Sequence, residues 1–373
     1  MKILYDDSLA ANPAGSGTVT RGLLEALLKT DGIDVVVSRF ESSSVASIDV
    51  GRKSARGRLR SAAAHFAYFA WQLPARARRA RCDVIFSPSG LGPLRGRTPS
   101  VVTVHDLTLL RYPGTVHWLS RIYLRVMLRI QVRRAAAVCT GTQAVAAELR
   151  SRFPALPADR VHVVPDAPDP EVLLASPVPA ETLAGRPFFL MVGTIEPRKN
   201  HLTAIKAFAQ YLERHPGAPE LLVLAGSPGW LYGPVLQAVA GLGLESRVMR
   251  VGHVDAGRLN WLYRHARALL FPSLYEGFGI PVLEAFALDC PVLAAAIPAV
   301  VEVAGEGTAT LLDPMDVAAW TAALAEAAGA PRDDARRAAA RRRASAFTWE
   351  GSAVALRDTL AAVTRQRPGW ARA

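Results

Sequence analysis

Short apolar runs, rich in β-branched residues, recur along the chain between longer stretches in which apolar positions return every third or fourth place. The first set lies at Lys2 to Tyr5, Asp34 to Ser38, Asp83 to Ser87, Ser100 to Val104, Ala136 to Thr140 and Val161 to Pro165. A second set follows at Pro187 to Val192, Glu220 to Ala225, Arg247 to Gly252, Ala268 to Phe271 and Pro291 to Ala295. Near-continuous apolar character predicts strands covered on both faces, as in parallel sheets flanked by helices. Two successive α/β sets therefore predict two doubly wound, Rossmann-like domains. Between them, residues 165–187 hold six prolines, Pro165, Pro168, Pro170, Pro177, Pro179 and Pro187, which suits a connection better than a helix or central strand. The expected division is 1–170, a linker at 171–186, and 187–346, with a terminal helix at about 347–365 packing back on the first domain through Trp349. Two such domains facing each other across a cleft would turn the carboxyl ends of both sheets toward it, where open α/β sheets bind ligands.

Composition narrows the chemistry. The 373 residues are 50% hydrophobic and 20% charged, which excludes a disordered chain. Lys and Arg outnumber Asp and Glu 44 to 32, a net +12 that favours anionic partners. Three separated cysteines, Cys82, Cys139 and Cys290, supply neither a disulfide framework nor a zinc ribbon and fit a reducing cytoplasm. The apolar start is too short for a signal peptide. The uncharged run from Leu221 to just before Glu245 is broken by Gly226, Pro228, Gly229, Gly233 and Pro234, so no transmembrane segment is expected.

The segment from Leu269 to Ala285 is the most informative. A buried strand ends at Pro272, a loop follows, and Pro281 stands where a helix begins. Gly277 and Gly279, on either side of Phe278, leave backbone N–H groups uncovered at that helix start, a place for a diphosphate or sugar hydroxyls. Glu276 before the helix and Glu284 one turn inside it are spaced to flank one ligand; equally, they read as a helix-start anion and a surface residue. In the second segment, a strand through Val192 and Gly193 runs into Thr194-Ile195-Glu196-Pro197-Arg198-Lys199-Asn200. Arg198 and Lys199 at a strand's carboxyl end suit a pyrophosphate, though adjacent loop cations are commonly just solvated.

Together these segments resemble the retaining glycosyltransferases of family 4, which have the GT-B fold. Glu276 to Glu284 matches that family's E-x7-E motif and Gly193 to Asn200 its G-T-x-E-P-R-K-N loop. The likeness continues through Leu222 to Gly226, Val251 to Val254, Leu262-Tyr263-Arg264 and Glu302 to Gly305, and more loosely through Gly15-Ser16-Gly17 and His105-Asp106-Leu107. It implies a nucleotide-sugar donor held by the second domain: Arg198 and Lys199 at the diphosphate, Glu284 at the ribose, Glu276 at the sugar, the Gly277–Phe278–Gly279 amides at sugar and phosphate, and the Val254 backbone near the base. His105 would approach the transferred sugar, and Gly15 and Gly17 would form an acceptor or phosphate loop. Here Thr18-Val19-Thr20 follows Gly17 where relatives continue Arg-Tyr, which sets that loop apart from the usual pattern. The group of the family most resembled is mannosyltransferase-like.

The reaction so implied is transfer of a hexose, with mannose from GDP-mannose as the first guess, to a glycan or lipid-linked acceptor. No D-x-D pair occurs, so cations and helix-terminal amides rather than a divalent metal are expected to hold the diphosphate, and no cofactor is expected. The alternatives are a nucleotide-sugar 2-epimerase of the same layout and an inactive nucleotide-sugar-binding partner recruited to membranes. Residues 51–134 carry 17 Lys and Arg against Asp83 and Asp106, a local +15. Arg121, Arg125, Arg129 and Arg133 recur every fourth place, and Arg76, Arg78, Arg79 and Arg81 follow the aromatic run Phe66 to Trp71. This suits an anionic membrane face and peripheral association on its inner side, or else a core segment beside a solvated one. Without a recognised nucleic-acid motif, nucleic acid is not an expected partner.

Overall fold

The computed structural model describes residues 1–12, 15–39, 63–112, 118–183, 185–229, 231–329 and 333–365, with backbone alone for 118–121 and 123. The chain divides into two compact units, Met1–Ala167 together with Thr348–Ala373, and Pro168–Phe347.

The first unit is built on six parallel strands: β1 (Lys2–Tyr5), β2 (Asp34–Val37), β3 (Val84–Ser87), β4 (Ser100–Thr103), β5 (Ala137–Thr140) and β6 (Val161–Val163), in the order β2-β1-β3-β4-β5-β6. The order reverses between β1 and β3, so the loops after these strands diverge to opposite faces and open a crevice at the sheet's carboxyl edge. Asp6, fully buried at the end of β1, ties that edge together. Its carboxylate accepts from Tyr68 Oη at 2.9 Å, from Ser87 Oγ and Ser89 Oγ at 3.1 Å, and from the Ser8 backbone N–H at 3.1 Å. Helix Gly15–Leu28 packs against helix Trp349–Arg365, and Gly22 is required there: a Cβ would stand 2.4 Å from the Trp349 ring. Ser352 Oγ adds a 2.6 Å hydrogen bond to the Pro165 carbonyl.

The second unit repeats the plan with β7 (Phe188–Val192), β8 (Leu221–Ala225), β9 (Val248–Gly252), β10 (Leu269–Phe271), β11 (Val292–Ala295) and β12 (Thr310–Leu312), ordered β12-β11-β10-β7-β8-β9 and parallel throughout. Alternate side chains feed two cores. Leu190, Val223, Leu269, Phe271 and Val292 enter one, while Phe189, Met191, Leu222, Leu224, Leu270 and Leu293 enter the other. Both faces are thus covered, which is why these strands read as unbroken apolar runs. The switch point lies between β7 and β10.

Two expectations are corrected. Residues 171–186 are no bare linker: Val172, Ala180 and Leu183 are buried in the second unit's core, and the Val178 N–H donates to the Gly257 carbonyl at 3.0 Å. The prolines punctuate this segment without detaching it. Pro170 opens the short helix Pro170–Leu174, capped by the Asp169 carboxylate accepting from the Glu171 N–H. β12 was not expected; it is a three-residue edge strand whose residues are all only half-buried, so its apolar signal is weak.

Candidate active site

The site of the second unit follows from its strand order. The loops leaving β7 and β10 flank the switch point, and they carry the two segments singled out by sequence. Gly193, in the left-handed region at φ +132°, turns the chain out of β7 and packs beside the Lys199 side chain. A single 3-10 turn, Pro197–Lys199, then presents Arg198 and Lys199. Asn200 locks the turn with φ +55°, and its Nδ2 donates to the carbonyls of Pro272 at 3.0 Å and Pro314 at 2.7 Å. The Leu274 N–H donates to the Arg198 carbonyl at 2.9 Å and joins the two loops.

Arg198, Lys199 and Glu276 come together in one cluster. Glu276 accepts from Arg198 Nη1 through Oε2 and from Lys199 Nζ through Oε1, each at 2.7 Å. The opposite side of the Arg198 guanidinium is held by Glu196 Oε1, 2.7 Å from Nη2 and 3.1 Å from Nε, and Nη1 also donates to the Tyr275 carbonyl at 3.0 Å. Lys199 Nζ lies 5.1 Å from the centre of the Phe271 ring. Burial alone would raise the Glu276 carboxyl, but the adjacent Arg198 and Lys199 outweigh it and hold the group at about 2. The ionised cluster is a rigid set of charges at a helix start, beside the backbone of Gly277 to Gly279. Gly279 caps helix Ile280–Ala287 at φ +113°, and Pro281 occupies its first turn. The Phe278 side chain is buried and meets Phe347 edge-on, ring centres 5.6 Å apart, which fixes the loop that leads into this helix.

Glu284 is no surface residue. It is buried on helix Ile280–Ala287, and its Oε2 accepts from the buried Tyr263 Oη at 2.8 Å. Burial and the like charge of Asp169 push its carboxyl up to about 7, against the hydrogen bonds from Tyr263 and the Asp169 backbone. Val254 is half-buried after β9 and packs against the same core. The predicted second-unit residues therefore occupy the carboxyl edge of one sheet, but the two carboxylates have separate partners.

In the first unit, His105 follows β4. Its Nε2 lies 2.6 Å from the Pro88 carbonyl, which only accepts, so Nε2 carries the proton of that hydrogen bond. Asp166 carries a carboxyl raised to about 6 by burial, with His105 acting in the opposite direction. Gly17 lies in the first turn of helix Gly15–Leu28, where a Cβ would come 1.8 Å from the Asn12 carbonyl oxygen, so this glycine permits the loop to close on the helix start. Sequence reasoning passed over Glu196, Tyr263, Asp6 and Asp166. Glu196 and Tyr263 stood inside segments already singled out, and a lone tyrosine among apolar helix positions was the available signal for the second.

The aromatic run of the first unit is split. Tyr68 and Phe69 are fully buried, whereas Phe66 and Trp71 are exposed and meet edge-to-face at 5.6 Å. Arg76 is committed to the Ser38 and Arg39 carbonyls, while Arg78, Arg79 and Arg81 are exposed. On helix Trp118–Arg134, Arg129 and Arg133 are exposed, Arg125 is half-buried and the Arg121 side chain lies outside the described residues, as does the basic stretch 51–62. No described helix is long and apolar enough to cross a membrane.

Two doubly wound sheets, with a cationic loop and a glycine-flanked helix start at the second switch point, define a GT-B glycosyltransferase. Residues 179–344 match the family described as "Glycosyl transferases group 1" and residues 13–172 that described as "Glycosyltransferase Family 4". The O-antigen chain mannosyltransferase B of Escherichia coli is 30% identical over 262 residues, 67% of each chain. The O-antigen chain mannosyltransferase RfbU of Salmonella typhimurium is 28% identical over 231 residues, 62% of this chain and 60% of that one. Among solved structures, sucrose-phosphate synthase from Thermosynechococcus elongatus superposes with a TM-score of 0.73 at 22% identity, covering 98% of this chain and 100% of that one. The chain belongs to glycosyltransferase family 4, in its mannosyltransferase-like group.

Proposed function

We propose that this glycosyltransferase moves a hexose, mannose from a GDP-activated donor in the first instance, to a glycan or lipid-linked acceptor with retention at the anomeric carbon and without a divalent metal. The observation that carries the reading is the Arg198–Lys199–Glu276 cluster at the second switch point. In transfer, the bond between the anomeric carbon and the diphosphate oxygen breaks and negative charge grows on the leaving phosphate. Arg198 and Lys199 meet that charge with preorganised donors, and the Gly277–Gly279 amides add the helix start. Glu276, held ionised, is an acceptor-only group suited to sugar hydroxyls, and Glu284 takes the ribose hydroxyls. His105, at the carboxyl end of β4, approaches the transferred sugar from the first unit. The mannosyltransferase relatives favour mannose as the sugar. The test is incubation of the purified protein in EDTA with GDP-mannose or UDP-glucose, with and without a lipid-linked saccharide, followed by NMR of the product's anomeric centre. Inverted product, or a 2-epimerised sugar formed from donor alone, would overturn it.

The acceptor side is proposed to work at an anionic membrane face. Exposed Phe66 and Trp71, with Ile122 and Val126 exposed on the neighbouring helix, lie in the same unit as Arg78, Arg79, Arg81, Arg95 and Arg129. Arg95 also covers the Trp71 ring at 5.5 Å. Apolar side chains set among cations suit a headgroup layer. Co-sedimentation with phosphatidylglycerol vesicles should exceed that with phosphatidylcholine, fall with salt, and fall again in the Arg78, Arg79, Arg81→Gln triple variant. Equal binding to both vesicles, or to neither, would reject this.

A further inference from the structure

Glu284 and Tyr263 make a buried pair whose geometry exceeds what packing needs. Tyr263 comes from helix Ala256–His265 and is fully buried; Glu284 retains a narrow exposed edge. An ionised carboxylate offers about four lone-pair positions and no donor. The Tyr263 hydroxyl takes one on Oε2, and the Asp169 backbone takes another. What is left can accept two adjacent hydroxyls, and only while the carboxyl stays ionised.

We infer that Tyr263 is a positioning residue for nucleotide binding: its hydroxyl fixes Glu284 and keeps it an ionised acceptor for the vicinal diol of a ribose. This rests on the assignment of Glu284 to the ribose made above. The surrounding charges leave this task to Tyr263. Asp169, at the start of helix Pro170–Leu174, opposes ionisation of Glu284, and Cys290 lies near Tyr263 without adding a cation. Arg337 and Arg341, on the helix Asp334–Ser345 that packs against helix Ile280–Ala287, are engaged by Asp289. Arg264 donates to Asn260, and Glu302 of helix Pro298–Ala304 is half-buried and adds no cation. No described cation thus replaces the tyrosine as a partner of Glu284.

The experiment measures, by calorimetry from pH 6 to 9, the affinity of GDP and of 2′,3′-dideoxy-GDP, with UDP and its dideoxy form in parallel. The ratio of the two affinities cancels titration of the phosphate. In the native chain the preference for the ribonucleotide should climb through about pH 7. Loss of one hydrogen bond to a carboxylate moves its midpoint by about one unit. Tyr263→Phe should therefore reduce the preference about tenfold at pH 6, about fivefold at pH 7 and hardly at pH 9. Asp169→Asn, which removes the opposing charge and can still cap its helix, should shift the curve the other way. An unmoved midpoint in both variants, or equal weakening of the ribo and dideoxy forms in Tyr263→Phe, would overturn the inference. Glu284→Gln separates the underlying reading: if that variant keeps the native ribose preference, Glu284 does not hold the ribose at all. A flat, low preference in Glu284→Gln upholds that assignment, and the Tyr263→Phe curve then decides whether the tyrosine positions the carboxylate.

Discussion

On the proposed reading a donor diphosphate competes with Glu276 for the same two cations, and this competition has a measurable result. Glu196, Arg198, Lys199 and Glu276 sum to zero charge, with both ends of the Glu276 carboxylate engaged at 2.7 Å. Glu276→Gln keeps the shape but leaves the cluster at +1. A unit charge roughly 6 Å from a phosphate is worth about 3 kcal/mol at an effective dielectric of about 20. Salt and the open side of the site reduce this to about 1–2 kcal/mol, or a 5–30-fold gain in affinity. Free nucleoside diphosphate should therefore bind Glu276→Gln more tightly than the native chain, and the advantage should shrink as salt rises. Transfer should nonetheless fall by at least about a hundredfold, because the sugar loses its charged acceptor. Titration calorimetry with GDP and UDP, paired with a radiolabelled transfer assay, reads both quantities. Weaker nucleotide binding by Glu276→Gln would refute the reasoning, since Glu276 would then be holding the cations in place rather than competing for them.

Arg198→Ala and Lys199→Ala should each lower kcat/KM tens- to thousands-fold while the chain stays folded, as checked by circular dichroism and steady-state assay; each removes a donor aimed at growing charge, worth about 2–4 kcal/mol. The folded Glu276 carboxyl sits at about 2, below its ordinary 4.5, so its stabilising contribution is present above about pH 4.5 and is lost as pH falls toward 2. Scanning calorimetry should show the Tm gap between the native chain and Glu276→Gln closing over that window. Gly22→Ala places a methyl 2.4 Å from the Trp349 ring and should cost about 1–3 kcal/mol, read as a lower denaturation midpoint with raised Trp fluorescence intensity or a red shift. If Arg198, Lys199 and backbone amides meet the leaving charge as proposed, transfer should persist in EDTA, read by the same assay.

The strands of both units were legible as β-branched, apolar runs, the half-covered edge strand Asp34–Val37 with its three valines included; the edge strand Thr310–Leu312, three residues long and half-covered, is too short a run to stand out. The cationic loop and the Glu276 to Glu284 spacing were legible as residue types beside strand ends. What sequence could not convey was who holds whom. Arg198 and Lys199 were expected to face a phosphate, and their carboxylate partner emerges only when the β7 and β10 loops meet. Glu284 and Tyr263 are 21 residues apart on different helices, so their pairing depends on packing, not on local pattern. The aromatic run from Phe66 to Trp71 has no single face in sequence. A π-helical turn over Tyr68–Gln72 changes the angular step between its side chains, with Tyr68 and Phe69 inside and Phe66 and Trp71 outside.

The return of helix Trp349–Arg365 to the first unit sets an order on the birth of the molecule. Residues 168–347 are contiguous and contain everything their sheet and cores require, so that unit can close once its own stretch has left the ribosome. The unit begun first is finished last: until residues 348–365 are made, helix Gly15–Leu28 has no Trp349 to cover Gly22, and the Pro165 carbonyl lacks Ser352. A released chain ending at residue 347 would therefore carry a finished second unit and an open first one, with an apolar helix face available to chaperones.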